Sequence, residues 1–292
     1  MLKKFLVFAL FALALNGLVF GIMYLKYYRM YRHFPEKEKY RGLILADSHG
    51  LCLGNEPEKD GFFNFSAESD NYSDMYIKLR YFLRKYPGTR IVLISADDHT
   101  LSVYREQLNN RDRNVIYRSF FGETESGGLK AGYAFIKDFI RYYLVILNPS
   151  AADISKRFLA GKLRPGNQDA ALPDWSDPEQ KQAMAEARFQ SQFPGRDKSE
   201  LLEQELRSIF HYCRKAGVAV YGLRFPLSPL YSGMVKGNGY GADRILKENR
   251  IPVLSFTDSI PDAEGIFENQ DHLSLKGGLK LAALLRRSKE IR

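Results

Sequence analysis

Short apolar runs alternate with longer segments of helical spacing along most of this chain, and that alternation constrains its fold more than any other feature. The runs are Gly42–Ala46 (GLILA), Arg90–Ile94 (RIVLI), Val218–Phe225 (VAVYGLRF) and Ile251–Phe256 (IPVLSF). A strand with one wet face alternates apolar and polar residues, whereas a near-continuous apolar run indicates burial on both faces. Between the runs, Tyr72–Tyr86 spaces Met75, Leu79, Phe82 and Leu83 as a helix does and stops before Pro87-Gly88. Asp197–Ala216 reads as a long amphipathic helix ending at Gly217, and Tyr240–Asn249 and Leu275–Lys289 read as two more. The expected class is therefore α/β, a parallel sheet with helices on both faces.

Ahead of this pattern, residues 5–25 run for 21 positions without a charge. At 1.5 Å per residue a helix of that length spans about 30 Å, one bilayer core. The charged leader Met1-Leu2-Lys3-Lys4 is of signal-peptide type, but the apolar run is long for a signal, and its small-x-small pair, Ala12 and Ala14, lies inside it. We read an uncleaved transmembrane anchor. Residues 1–40 then form the anchor and a basic connector, and 41–292 form the α/β body. The pattern loosens between about 100 and 196, which we read as a mainly helical insertion. It contains the Tyr-, Phe-, Ile- and Leu-rich stretch Ala131–Ile146 and a Gly/Pro/Asp-rich loop over Pro165–Pro178.

The net charge of +9 is concentrated at the two ends. Residues 1–41 carry +6 and 276–292 carry +5, so the body between them is slightly acidic. Such a body offers no field to neutralise a phosphate backbone, which argues against nucleic acid as a partner. The two cysteines, Cys52 and Cys213, make neither a disulfide framework nor a zinc pattern.

Parallel α/β sheets bind ligands beyond the carboxyl ends of their strands. The first apolar run leads directly into Asp47-Ser48-His49-Gly50. A serine at such a turn, with Ala46 before and Gly50 after, is placed to expose its hydroxyl near amides suited to an oxyanion. A nucleophilic serine needs a base. The candidate is His272, in Phe267-Glu268-Asn269-Gln270-Asp271-His272-Leu273-Ser274, where Ser274 is placed to cap the last helix. The same residues also suit ordinary turns and caps. A second triplet, Asp97-Asp98-His99, follows RIVLI and reads either as a base–acid pair or as part of an Asp47/His49/Asp97/His99 metal cluster. Its spacing is diagnostic of neither, and we assign no metal and no cofactor.

LILADSHG resembles the first block of the SGNH (GDSL-like) hydrolases and acyltransferases, with Ala46 where glycine is usual. FENQDHLS resembles their last block, F/Y-x-D-x-x-H-L, and the likeness extends to the strand–helix order over about 41–100 and 198–290. It implies a flavodoxin-like parallel sheet with Ser48 as nucleophile and His272 as general base. The family's acid stands three residues before the histidine. That place is held by Asn269, which leaves Asp271 as the acid if its loop turns it inward. Asn64-Phe65-Ser66-Ala67-Glu68-Ser69 is similar to the second block, with Ser69 in place of the glycine whose amide serves the oxyanion hole. Ser95-Ala96-Asp97 is similar to the third, with Asp97 in place of an asparagine. The resemblance thus nominates Ser48, His272 and Asp271 as catalytic, and Ser69, Asp97 and Asn269 as oxyanion or orienting residues.

The anchor resembles that of the SGNH partners of membrane-bound O-acyltransferases in alginate acetylation and teichoic-acid D-alanylation. That likeness implies a membrane-anchored acyltransferase or esterase with a membrane-bound O-acyltransferase partner. Its acceptor would be an envelope carbohydrate, a glycolipid or another hydroxyl, and its body would be extracytoplasmic, either periplasmic or at the cell surface. The flanking charge points the other way, because Lys26, Arg29, Arg32, Lys37, Lys39 and Arg41 outnumber Lys3 and Lys4. The Asn269 and Asp97 departures also admit a non-enzymatic alternative, a degenerate SGNH fold acting as a binding or assembly subunit of an envelope polysaccharide complex.

Overall fold

The computed structural model describes residues 2–22, 24–25, 33–117 and 177–291, with isolated positions between 136 and 175. The chain divides into two compact units, Met1–Phe34 with Arg111–Ala171, and Pro35–Asn110 with Leu172–Arg292.

In the first unit, helix α1 (Leu2–Ile22) buries none of its residues and reaches a mean hydropathy of 2.5 over 18 positions, long and apolar enough to cross a membrane. Single helical turns follow at Arg111–Asn114 and Val115–Tyr117. The Tyr117 hydroxyl accepts from the His33 amide at 2.9 Å, and its ring meets Phe34 edge-on. Almost all of Ala131–Ile146 and Pro165–Pro178 lies outside the described residues.

The second unit is built on five parallel strands: β1 (Gly42–Leu45), β2 (Phe62–Asn64), β3 (Ile91–Ser95), β4 (Ala219–Arg224) and β5 (Val253–Ser255). Their order is β2-β1-β3-β4-β5, with Leu43 opposite both Phe63 and Val92 and Leu93 opposite Tyr221. This is the flavodoxin-like order. The chain leaves β1 to one side to form β2, then returns through α2 (Tyr72–Lys85) to lay β3 on the other side of β1. The strand order thus reverses at β1, and the carboxyl ends of β1 and β3, the region where such sheets bind ligands, lie next to each other. The three-residue β2 is too short to show a period, which is why apolar runs alone reveal only the other four strands.

Helix α2 begins at a capping box. The Asn71 side chain accepts from the amides of Ser73 and Asp74, and the Asp74 side chain accepts from the Asn71 amide. Further along come α3 (Val103–Gln107), α4 (Pro178–Gln192), α5 (Glu200–Lys215), α6 (Pro229–Val235), α7 (Ala242–Glu248) and α8 (Leu275–Arg287). In α5, Leu202, Leu206, Ile209, Phe210 and Cys213 form a buried stripe, and the helix packs against α2. On α8, Leu281 and Leu285 share a buried cluster with Ile44, Leu93 and Leu223 of the sheet. Each such leucine contributes about 1.5–3 kcal/mol. Because strand side chains alternate, Leu43, Leu45, Val92 and Ile94 are buried on the opposite face. The segment Arg224–Pro229 leads into α6, which Ser228 caps by accepting from the Tyr231 amide with Pro229 in the first turn.

The start of α8 lies against the 3₁₀ turn Ser48–Leu53. Ser274 caps α8 by accepting from the Gly277 amide at 3.2 Å. Glycine is required at 278 because a Cβ there would run into the Cys52 carbonyl, which is backbone and cannot step aside. That close approach brings the segment before α8 beside the turn after β1. Gly278→Ala is expected to destabilise the protein by about 1–3 kcal/mol. Gly233→Ala, in α6 with open space around it, is expected to be neutral or stabilising by up to about 1 kcal/mol. Urea midpoints of the two variants check the contrast.

Candidate active site

The turn after β1 and the loop before α8 place Ser48 and His272 together. The Ser48 Oγ lies 2.8 Å from His272 Nε2, although 224 residues separate them. At the other ring nitrogen, His272 Nδ1 is 2.9 Å from Asp271 Oδ1 and 2.9 Å from Asn269 Oδ1. Asn269 Oδ1 also accepts from the amides of Asp271 and His272, at 3.1 and 3.0 Å. Asn269 therefore folds the turn, and the turn directs Asp271 inward, where its carboxylate is fully buried. Asp271, adjacent to His272 in sequence, thus reaches the Nδ1 of its ring.

Five groups approach the Asp271 carboxylate. Oδ1 faces His272 Nδ1 and accepts from Gln270 Nε2 at 3.1 Å. Oδ2 accepts from Arg188 Nε at 2.8 Å and Gln192 Nε2 at 2.9 Å, and faces His49 Nε2 at 3.4 Å. Burial alone would raise this carboxyl, but His272, Arg188 and the His49 hydrogen bond outweigh it and hold it well below the usual carboxylate range. Arg188 and Gln192 belong to α4, inside the span expected to be an insertion. With Ala185 and Phe189 they fall on one helical face. Ala185 and Phe189 pack with Leu227, Tyr231 and Val235, and the Tyr231 hydroxyl donates to Gln192 Oε1 at 2.7 Å. This apolar seam holds the helix so that its two polar residues reach the acid. In sequence, PEQKQAMAEARFQSQ looks like any polar helix, and nothing marks these two positions.

The triplets after β1 and β3 pair crosswise. His49 Nδ1 lies 2.9 Å from Asp97 Oδ2, and His99 Nε2 lies 3.0 Å from Asp47 Oδ2. Asp97 and His99 therefore do not form a base–acid pair with each other. Asp97 Oδ2 also accepts from the Ser95 hydroxyl at 3.0 Å, and Oδ1 accepts from the Phe225 amide at 2.8 Å. An aspartate engaged as an acceptor on both oxygens has nothing to donate to an oxyanion, so Asp97 orients His49 instead. Asp98 turns away to Arg224. Asp47 additionally accepts from the His49 amide at 3.0 Å and faces Arg105 at 3.3 Å. Burial would raise its carboxyl, but His49, Arg105 and His99 together depress it strongly. Ligand atoms of Asp47, His49 and His99 lie within 4.8 Å of one another, and the four side chains of the conceivable metal cluster are bonded as two pairs with Arg105 beside them.

Ser69 has φ +64°, in the left-handed region that favours glycine. Its turn is held from beneath. The buried Lys78 bonds the Asp70 carboxylate and, at 2.8 Å, the Phe65 carbonyl. Arg105 donates to the Asp70 carbonyl, and Asn110 Nδ2 donates to Asp70 Oδ1 at 2.7 Å. Cys52, four residues after Ser48, is largely buried, and its thiol is pushed up to about 12, which leaves it unreactive near neutrality.

No family model matches the chain, and no curated protein does. Among solved structures it is similar to a GDSL-like lipase from Bacteroides thetaiotaomicron (9% identity, TM-score 0.42), with 89% of this chain and 95% of that one covered. It is similar also to a structure described as TesA (12% identity, TM-score 0.40), with 86% and 99% covered. Likeness at this level carries no weight for the site, and the fold class stands on the strand order.

Because Asp47 is depressed in the folded state, its contribution to stability is present above the unfolded carboxyl value, near pH 3.9, and is lost as pH falls through the lower folded value. Asp47→Asn strands Arg105 and His99 without their carboxylate and is expected to cost about 3–5 kcal/mol near pH 7. That difference from wild type should shrink below about pH 4, which urea unfolding across a pH series would measure.

Proposed function

We propose that this chain is a serine-dependent acyltransferase or esterase of SGNH type, held at a membrane by α1. The observation that carries this reading is the Ser48 Oγ–His272 Nε2 contact at 2.8 Å, with the buried Asp271 carboxylate at the opposite ring nitrogen. In the proposed reaction, Ser48 Oγ attacks the acyl carbonyl while His272 Nε2 takes its proton. The amides of Ser48 and Ser69 receive the developing oxyanion. Collapse of the tetrahedral intermediate expels the alcohol, which leaves with the proton held by His272. An acceptor hydroxyl, or water, then attacks the acyl-serine and gives its own proton to His272, and that proton returns to Ser48 as the new ester or acid departs. Asp271 keeps the Nδ1 proton in place and stabilises the imidazolium that forms.

The hydroxyl–imidazole–carboxylate arrangement favours an enzyme over the binding or assembly subunit that the two departures suggested. Asp271 Oδ1 lies 2.9 Å from His272 Nδ1, which supports it as the acid, and Asp97 Oδ2 lies 2.9 Å from His49 Nδ1, which supports an orienting role there. The finer reading rests on the resemblance stated above. It comprises an extracytoplasmic body, an envelope carbohydrate or glycolipid acceptor, and a membrane-bound O-acyltransferase as partner.

Fluorophosphonate labelling of the full-length chain, in membranes and in detergent, tests the proposal. Labelling is expected in the wild type and should be absent in Ser48→Ala and His272→Ala. A folded wild type silent in both media would overturn the reading. The labelling rate of Asp271→Asn is expected to fall by up to about 10⁴-fold, as when a triad acid is lost. Asn269→Ala, which loosens the turn but keeps the acid, should cost far less. The reverse ranking would move the acid's role to Asn269.

A further inference from the structure

His49 has both ring nitrogens turned toward carboxylates. Nδ1 lies 2.9 Å from Asp97 Oδ2, and Nε2 lies 3.4 Å from Asp271 Oδ2. An ionised carboxylate can only accept hydrogen bonds, and a neutral imidazole carries a single N–H. Both contacts are satisfied together only when both nitrogens are protonated. The charge balance of the cluster agrees. Asp47, Asp97 and Asp271 bring three negative charges, and Arg105 and Arg188 bring two positive ones. Buried charges need partners, and this tally leaves one negative charge for a further cation to meet. The His49 side chain is 1% exposed, so solvent cannot supply that balance.

We propose that His49 is a positioning residue of the active site: a buried imidazolium that ties Asp271 to Asp97 and so to the ends of β3 and β4. The proposal rests on the reading of Ser48, His272 and Asp271 given above. Asp97 is the fixed end of the tie, because it accepts from the Ser95 hydroxyl on β3 and from the Phe225 amide just past β4. The line then runs from the sheet through His49 to Asp271, His272 and Ser48. It accounts for an aspartate where the resemblance implies an asparagine, since a carboxylate holds an imidazolium better than an amide does. It also limits how far Asp271 can compete for the Nδ1 proton, because its second oxygen is already occupied by His49, Arg188 and Gln192. Six other groups bear on His49 besides Asp97: Asp271, Asp47, His99 with ring centroids 5.0 Å apart, His272 at 4.9 Å, Arg105 beside Asp47 and Arg188 beside Asp271. Burial works against the His49 charge, but Asp47, Asp271 and Asp97 outweigh it and raise its pKa, whereas burial lowers that of His99. The cation is thereby assigned to His49 rather than to its neighbour.

The first test reads the charge without reference to activity. In the full-length protein in detergent, ¹⁵N NMR of labelled histidine should show one imidazolium, protonated at both nitrogens, at pH 7.5, and its signals should vanish in His49→Gln. A neutral His49 in the folded wild type overturns the proposal, whatever the labelling result for Ser48. The second test reads positioning. Asp97→Asn keeps an acceptor for Nδ1 but removes its charge, and serves where His49→Gln fails to fold. In Asp97→Asn the fluorophosphonate labelling rate should fall by about 10²-fold, the order expected for a displaced catalytic group. The alkaline limb of its pH profile should also move down by at least about one pH unit, because His49 releases its proton earlier. A loss of folded protein with the limb unmoved would make the role structural only and overturn the proposal. A silent wild type would instead remove the function, while the NMR would still decide the charge.

Discussion

The site depends on the crossed pairing of two Asp-x-His triplets at the point where the strand order reverses. Parallel strands β1 and β3 are neighbours, so the segments leaving their carboxyl ends run side by side. Each aspartate meets the histidine of the other strand, Asp47 with His99 and Asp97 with His49. Burying such groups is costly unless every charge is met. Once met, they leave few alternatives: moving one strand end by a single residue would strand a carboxylate. Ser48 is the residue between Asp47 and His49, so its position follows from the pairing.

The same logic governs the acid. Asp271 is assembled from segments remote in sequence, with donors from the β1 turn (His49), α4 (Arg188, Gln192) and its own loop (Gln270, His272). The contacts from His49, Arg188 and Gln192 do not exist until the β1 turn, α4 and the loop before α8 have packed together. The apolar contacts at Ala185, Phe189 and Tyr231 and the glycine approach at 278 thus shape the candidate site as much as the fold. A helix inside what reads as an insertion is, at its last two turns, part of the site.

Most of the sheet was legible in the sequence because burial on both faces leaves short apolar runs such as GLILA and RIVLI, too brief for a buried helix and bounded by polar turns. Three-residue β2 was not, since a period needs more residues than it has. Ser48 and His272 were legible as candidates, and the structure brings them together, because each lies where a strand meets a loop or a loop meets a helix, within a block of the resemblance. Asp271 was legible as a candidate only on condition that its loop turned inward, and the condition is met by the Asn269 side chain. The crossed pairing could not be foreseen. Two Asp-x-His triplets in one chain invite pairing within each triplet, and only the parallel register shows that the shorter connection is across strands. Arg188 and Gln192 were invisible for a simpler reason, because polar residues on a polar helix carry no sign of which ones face inward.

Asp271 and Asp97 read as two separate departures from the SGNH-like pattern that the sequence resembles, yet in the structure they lie at the two ring nitrogens of one histidine, His49. An acid next to the histidine, rather than three residues before it, approaches the ring from a short turn and has its second oxygen directed into the protein. That oxygen needs donors, and His49 can be one of them only if it carries a proton on Nε2. Its Nδ1 faces the Asp97 carboxylate, which can only accept, so that nitrogen carries a proton as well. An asparagine at 97 would meet the hydrogen bond but not the charge, leaving three cations to face two carboxylates. On the proposed reading, the carboxylates at 271 and 97 are therefore coupled by the protonation of one buried histidine, and a change at either should be felt at the other.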